Sequence, residues 1–180
     1  MKRQSKLITL FFTITVLFFT ANLKAQTTPA NSLRLSVGAD AGIPTGNLRI
    51  GSTFVLGGTP SLLYGITNNF AVTLTSGADH FLSKYIPGTN KRYDSFGVIP
   101  IKAGFKEFFI PNVYVAAEGG VAFEQVDSGP GNKKFLLSPA IGVANKHWDV
   151  GVRYDNYAGQ NDNYGFVALR IVYGFAFLTK

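Results

Sequence analysis

The chain has 180 residues, among them 17 lysines and arginines, 10 aspartates and glutamates, and no cysteine. The missing cysteines exclude disulfides, thiolate metal sites and a cysteine nucleophile. Charged residues make up only 15% of the chain, against about 25% in ordinary soluble domains, which favours a protein with a large apolar surface.

The first 25 residues are typical of a secretory signal peptide. Basic residues precede an apolar run over 7–19, and Ala25 offers a small residue for cleavage before Gln26. The run is shorter than the about 20 residues that a spanning helix needs, so an export signal is favoured over a retained anchor. Cleavage would leave a mature chain that starts with a short lead over 26–32. This mature chain has 13 basic and 10 acidic residues, a net charge of +3. We therefore expect no nucleic-acid partner.

Beyond the lead, eight segments alternate apolar and small or polar residues between turn residues, as β-strands do. Short turns and longer loops connect them in alternation, which predicts an all-β fold: an eight-stranded antiparallel up-and-down transmembrane β-barrel over 33–177, with a tail over 178–180. The predicted strands are Leu33–Ile43, Thr53–Ile66, Phe70–Phe81, Ser95–Phe109, Val113–Phe123, Phe135–Ala144, Trp148–Tyr157 and Tyr164–Phe177. Local bulges are expected at the prolines inside strands, which are Pro60, Pro100 and Pro139.

The two faces of each predicted strand differ in the size of their side chains. In the last strand Leu169 and Ile171 share one face, whereas Ala168 and Arg170 share the other. The narrow interior of an eight-stranded barrel needs small residues, so we expect the large apolar face to contact lipid. A soluble lipocalin-like periplasmic carrier of apolar ligands would have the opposite orientation and is an alternative.

Aromatic residues concentrate near both ends of the predicted strands. Two aromatic belts around an aliphatic band are typical of proteins that cross a membrane, because aromatic side chains favour its two interfaces. The predicted aromatic girdle comprises Phe54, Phe70, Phe81, Phe96, Phe109, Phe123, Phe135, Trp148, Tyr157, Tyr164, Phe166, Phe175 and Phe177.

Most charges within the predicted strands fall on the inward face, where they need partners because an isolated buried charge is costly. Counting from the turns places Glu118 near Gly104 and Arg170 opposite Gly151. We expect an ionic ladder that plugs the lumen, and a narrow porin-like channel for small solutes is the alternative. The predicted lumenal charge network comprises Arg34, Asp40, Lys102, Lys106, Glu118, Asp149, Arg153 and Arg170, with Asp79 and Asp155 on the same face.

No residue pattern indicates catalysis, a metal or a cofactor, and we expect none of the three. An acid and a histidine occur together at Asp79 and His80, but strand alternation places them on opposite faces. The two histidines of the chain have no metal-ligand spacing. The basic, tyrosine-containing loop over 84–93 could contact lipopolysaccharide phosphates or an external partner.

Residues 99–105 (Ile-Pro-Ile-Lys-Ala-Gly-Phe), 138–142 (Ser-Pro-Ala-Ile-Gly), the junction at 24–26 and the alternating aromatic end resemble the small outer-membrane β-barrel family of the OmpX and OmpA-transmembrane type. The likeness is to the outer membrane protein beta-barrel domain proteins of Bacteroidota. It implies a protein of the Gram-negative outer membrane, in contact with outer-membrane lipid and lipopolysaccharide. It also implies insertion by the outer-membrane assembly machinery, a monomer, and a structural or interaction role with four external loops. Residues 178–180 follow the aromatic residue on which members of that family often end.

Overall fold

The computed structural model describes residues 29–86, 88–125, 131–159 and 162–179, with only the backbone of 176–179. The predicted signal peptide over 1–25 lies outside the described residues. Within these ranges, no helix is both long and apolar enough to cross a membrane.

Strands dominate the described part of the chain, with one short helical turn, α1 (Leu48–Gly51), in the first long loop. The strands are β1 (Ser32–Thr45), β2 (Ser52–Gly65), β3 (Phe70–Ser76), β4 (Ala78–Ser83), β5 (Phe96–Ile110), β6 (Val113–Gln125), β7 (Lys133–Ala144), β8 (Trp148–Gly159) and β9 (Tyr164–Thr179).

The strands form one closed antiparallel barrel. β1 pairs with β2 on one side and with β9 on the other, which closes the sheet. β3 and β4 both lie between β2 and β5 and together occupy one position in the wall, so the barrel has eight positions in up-and-down order. This is the predicted fold, and the ends of the segments lie within two residues of the predicted ones. β9 continues through two residues of the predicted tail and pairs Leu178 with Leu33.

The third wall position is interrupted at Gly77, between β3 and β4. The register continues across the interruption and places Gly77 opposite Pro100 of β5, and Ser76 opposite Pro60 of β2. Proline cannot donate a ladder hydrogen bond, so pairing is lost on both sides of the same point. The bulges predicted at Pro60 and Pro100 are therefore wrong, because the result is a gap without a register shift. Pro139 likewise lies where the pairing between β7 and β8 is interrupted, and the register is the same on both sides of the interruption.

The observed bulges lie elsewhere, near strand ends rather than at the prolines. Register shifts occur between Leu33 and Arg34 and between Ser52 and Phe54. A third shift lies between Phe108 and Ile110, beside the tight turn that joins β5 to β6. Bulges of this kind bend a strand locally, and the rim of a barrel is a common place for them.

Side chains divide between the two faces of the wall as the alternation predicts. Ile171 of β9 is 44% exposed on the outer surface, whereas its neighbour Val172 is 3% exposed and points inward. Charged residues of the strand centres lie inside, among them Arg153 at 2% exposure. A soluble carrier of apolar ligands requires the reverse distribution, with an apolar interior and a polar exterior.

Candidate functional site

Arg153 is the centre of the largest group of charges inside the barrel. Its Nη2 atom lies 2.9 Å from Oδ2 of Asp155, 3.5 Å from Oδ1 of Asp79 and 3.6 Å from Oδ2 of Asp40. All four side chains are buried. One guanidinium thus holds three carboxylates that come from β1, β4 and β8, and it ties distant parts of the wall together across the lumen.

A second group lies around Lys102 of β5. Its Nζ atom is 3.4 Å from Oε2 of Glu118 and 3.7 Å from Oδ1 of Asp155, so Asp155 joins this group to that of Arg153. The hydroxyls of Thr73 and Thr75 both donate to Oε1 of Glu118, at 2.8 and 2.6 Å. Glu118 is therefore held by a cation and by two neutral donors, which offsets the cost of removing its charge from water.

A third group occupies the half of the lumen nearer the short turns. Lys106 forms an ion pair with Asp149, and the hydroxyl of Tyr114 donates to Oδ1 of Asp149 at 2.7 Å. The Lys106 Nζ atom also lies 3.9 Å from the centroid of the Tyr114 ring. A Cβ atom at Gly142 or at Gly151 would lie 2.6 Å from the Tyr114 hydroxyl oxygen, so both positions need glycine to admit the tyrosine.

Two arginines of the predicted network lie apart from these groups. Arg34 donates from Nη1 to the carbonyl oxygen of Asn145 at 3.4 Å, and a Cβ atom at Gly174 would collide with its guanidinium. Arg170 has no carboxylate of the described residues within ion-pair distance, and its Nε atom is buried without a hydrogen-bond partner.

The predicted register of the charges is confirmed, but their pairing is not a simple ladder. Glu118 lies opposite Gly104, and Arg170 lies opposite Gly151. The structure places the eight predicted network residues inside the barrel, together with Asp79 and Asp155. Lys106, however, pairs with Asp149 of β8 across the lumen and makes no ion pair with Glu118 on the adjacent strand.

The prediction of a girdle is wrong for five aromatic residues that point into the barrel. It used position along the strand, whereas the facing of a side chain is set by alternation. Each of the five lies an even number of residues from an inward-facing residue of its own strand. They are Phe81, Phe96, Tyr157, Tyr164 and Phe166.

These five residues form an inner aromatic layer at the long-loop end of the lumen. Phe81 stacks on Phe96 with ring centroids 4.5 Å apart and meets Phe166 edge-on at 5.6 Å. Leu48 of α1 packs against the layer from the first long loop. The hydroxyl of Tyr157 donates to Oδ2 of Asp79 at 3.1 Å, which connects the aromatic layer to the charges around Arg153.

Seven of the remaining eight girdle residues lie on the outer face. Trp148 and Phe175 flank Tyr173, with ring centroids 5.0 and 4.9 Å from the Tyr173 ring. The predicted girdle omits Tyr173, although its position between Ile171 and Phe175 in the sequence indicates the outer face. The side chain of Phe177 lies outside the described residues. The outward girdle members are Phe54, Phe70, Phe109, Phe123, Phe135, Trp148 and Phe175.

A cavity lies below the groups of Arg153 and Lys102, in the half of the lumen nearer the short turns. The cavity has a volume of about 40 Å³, which is room for about three water molecules. Its charged lining consists of Arg34, Lys106, Glu118, Asp149, Arg153 and Arg170.

Exchanging Glu118 for glutamine is expected to lower the free energy of unfolding by about 1–3 kcal/mol, because Lys102 then keeps only Asp155 as a buried anionic partner. The loss can be measured as a lower temperature at which the folded band disappears from an unboiled SDS gel. Unchanged heat resistance together with altered ion conductance would contradict a structural role and indicate an ion pathway.

The sequence matches no protein-family model, and no curated protein is detectably similar to it. Solved structures of small barrels do match it. Their sequence identities are low, so the likeness concerns the fold: this chain has the fold of the small eight-stranded outer-membrane β-barrels.

Three of these structures illustrate the likeness. Neisserial surface protein A is 19% identical, with a TM-score of 0.61 over 82% of this chain and 98% of its own. The Yersinia pestis outer membrane protein Ail, in a phospholipid bilayer nanodisc, is 12% identical, with a TM-score of 0.59 over 81% of this chain and 99% of its own. The outer membrane protein OprG from Pseudomonas aeruginosa is 9% identical, with a TM-score of 0.51 over 87% of this chain and all of its own.

Proposed function

We propose that this chain is an integral outer-membrane protein that crosses the membrane as a plugged barrel and acts through its four long loops. The observation that carries the proposal is the predominantly apolar surface around the wall, combined with a charged interior. Side chains exposed on this surface include Val37, Leu56, Leu62, Val72, Leu74, Ile101, Phe105, Val115, Val121, Leu137, Ile141, Val152, Val167, Leu169 and Ile171.

The dimensions of this surface suit a bilayer. Outward apolar residues of β9 run from Val167 to Phe175, which spans about 27 Å along the strand and about 20 Å along the barrel axis at a tilt of about 40°. Charged outward positions such as Glu107 and Lys133 lie close to strand ends. A surface of this extent in water would be a severe aggregation hazard, whereas acyl chains would cover it.

Charged and aromatic side chains inside the barrel favour a structural or interaction role over transport. Among the described residues, five cationic and five anionic side chains lie on the short-turn side of the aromatic layer, and the layer lies between them and the long loops. A further cation, Lys134, is buried beside Tyr164 of the layer. The narrow porin-like channel is the second candidate, and the polar cavity beside Arg170 favours it. Conduction would require the ion pairs of Arg153 and Lys102 to separate and the aromatic layer to open.

The long-loop end offers the surface on which a partner would bind. The Lys84 backbone N–H donates to the carbonyl oxygen of Gly51 at 2.8 Å, which joins the second long loop to α1. Within that loop, the Arg92 guanidinium lies 4.2 Å from the Tyr85 ring centroid and donates to its hydroxyl at 2.7 Å. These exposed basic groups suit the phosphates of lipopolysaccharide in the outer leaflet.

Catalysis is not part of the proposal. Asp79 is engaged by Arg153 and Tyr157 inside the barrel, while His80 is exposed on the outer face, so the two cannot act as an acid–base pair. We infer a monomer, inserted by the outer-membrane assembly machinery. The description of Ail and OprG as outer membrane proteins supports the proposed location.

The proposal predicts a protein that sediments with membranes, requires detergent for extraction and migrates differently on SDS gels before and after boiling. Planar bilayers that contain the refolded protein are expected to show no single-channel steps, because the lumen is filled. Release into the aqueous extract without detergent would overturn the membrane location. Discrete conductance steps from a heat-modifiable protein would keep the location and replace the plug by a channel.

A further inference from the structure

The lining of the lumenal cavity is richer in hydrogen-bond donors and positive charge than in acceptors. Four cationic side chains border it, against the two carboxylates of Glu118 and Asp149. Hydroxyl groups complete the polar lining, and they come from Ser36, Ser61, Thr73, Thr75, Tyr114 and Ser138.

Both carboxylates of the lining are already engaged by other residues. Glu118 accepts from two threonines and faces Lys102, and Asp149 accepts from Tyr114 and Lys106. Asp40 lies in cross-strand register with Arg170, but its carboxylate is directed to Arg153 and accepts from Thr59. Among the described residues that line the cavity, no carboxylate therefore lies within ion-pair distance of Arg170.

One buried N–H donor beside the cavity, Nε of Arg170, lacks an acceptor among the described residues. Arg153 also has buried N–H groups without a hydrogen-bond partner, but the carboxylates of Asp40, Asp79 and Asp155 lie within ion-pair distance of it. An unpaired buried donor is costly, and more so when it belongs to a charged group. A group that occupies the cavity and satisfies the Arg170 donor must accept a hydrogen bond, and the excess of positive charge in the lining favours an anion over water.

We propose that this cavity is a binding site for a small inorganic anion of chloride size, with Arg170 as its principal ligand. The volume suits one such ion together with one or two waters. The aromatic layer closes the lumen on the long-loop side, so the ion exchanges through the short-turn end. The proposal rests on the closed lumen described under the proposed function, and the site is a dead-end chamber rather than a passage.

The test uses the mature protein refolded in detergent micelles and chloride as the probe. A chloride ion held beside Arg170 broadens the ³⁵Cl NMR line, and bromide is expected to reverse the broadening by competition. The variant Arg170→Gln is expected to weaken the binding about tenfold or more, because one charged donor is lost. The matched control Lys146→Gln removes an exposed charge of a short turn and is expected to leave the broadening unchanged.

Crystals of the unaltered protein soaked in bromide give a second measurement that does not depend on a variant. An anomalous peak within hydrogen-bond distance of the Arg170 guanidinium supports the site. The proposal is overturned if the cavity shows no bromide, or if Arg170→Gln and Lys146→Gln broaden the line as the unaltered protein does. If planar bilayers show no conductance and the crystals show no bound bromide, this site alone is refuted. If bromide carries current through the protein, the closed lumen is refuted.

Discussion

Replacing Arg153 by glutamine is expected to lower the free energy of unfolding by about 3–5 kcal/mol, since removal of one partner leaves buried charges uncompensated. Asp40, Asp79 and Asp155 all lie within 3.6 Å of the Arg153 Nη2 atom and would face one another without a cation at the centre. Urea titration of the protein in lipid vesicles, followed by the fluorescence of its single tryptophan, measures the loss.

Two further variants separate this effect from the general loss of a positive charge. Arg49→Gln changes an exposed arginine of α1 and is expected to shift the free energy of unfolding by no more than about 0.5 kcal/mol. Adding Asp155→Asn to Arg153→Gln removes one of the stranded carboxylates and is expected to recover part of the loss. If Arg153→Gln were as stable as Arg49→Gln, the assignment of Arg153 as the centre of the network would be wrong.

Introducing arginine at Ile171 is expected to lower the free energy of unfolding in a bilayer by about 2–4 kcal/mol. Ile171 lies midway along the outward apolar row of β9 and is 44% exposed on the outer surface. A charge there would sit in the hydrocarbon core, whereas on a surface that faces water the same change costs little. Reversible urea unfolding in lipid vesicles provides the measurement.

The matched control for this position is Glu107→Arg. Glu107 is also exposed on the outer face, but it lies near the end of β5 and already carries a charge. We expect this variant to change the free energy of unfolding by about 0–1 kcal/mol, as for positions near a membrane interface. Equal and small costs at both positions would show that the outer surface does not contact acyl chains.

The order and bounds of the strands could be predicted because the alternation of large and small side chains is local information. In β9, for example, Leu169 and Ile171 alternate with Ala168 and Arg170 without interruption. Tight turns then fix the register, since counting outward from Pro111 places Glu118 opposite Gly104. These features depend on neighbours in the sequence or on a single turn.

The pairing of charges inside the lumen could not be predicted in the same way. Lys106 and Asp149 are 43 residues apart and lie on β5 and β8, which are not adjacent in the wall. Their contact depends on how the closed sheet curves and on how its strands are staggered, and neither quantity can be counted from turns. The sequence contains the partners, but the geometry of closure selects among them.

Two other differences between prediction and structure can be traced to particular residues of the sequence. Phe81 lies two residues after the inward-facing Asp79 on the same strand, so the alternation of side chains is enough to predict that Phe81 points into the barrel. The interruption at Gly77 follows from Pro60 and Pro100, which become its neighbours only after the register of three wall positions is combined.

The measurement that tests the central claim most directly is quenching of tryptophan fluorescence by lipids brominated at known depths. Trp148, the only tryptophan, lies on the outer face at the short-turn end, and a second protein carries Trp148→Phe with Ile171→Trp. We expect bromines near the lipid carbonyls to quench Trp148 best and bromines near the bilayer centre to quench the tryptophan at 171 best. The account would be contradicted if the tryptophan at each position had the emission wavelength of a water-exposed indole and brominated lipids quenched it at no depth.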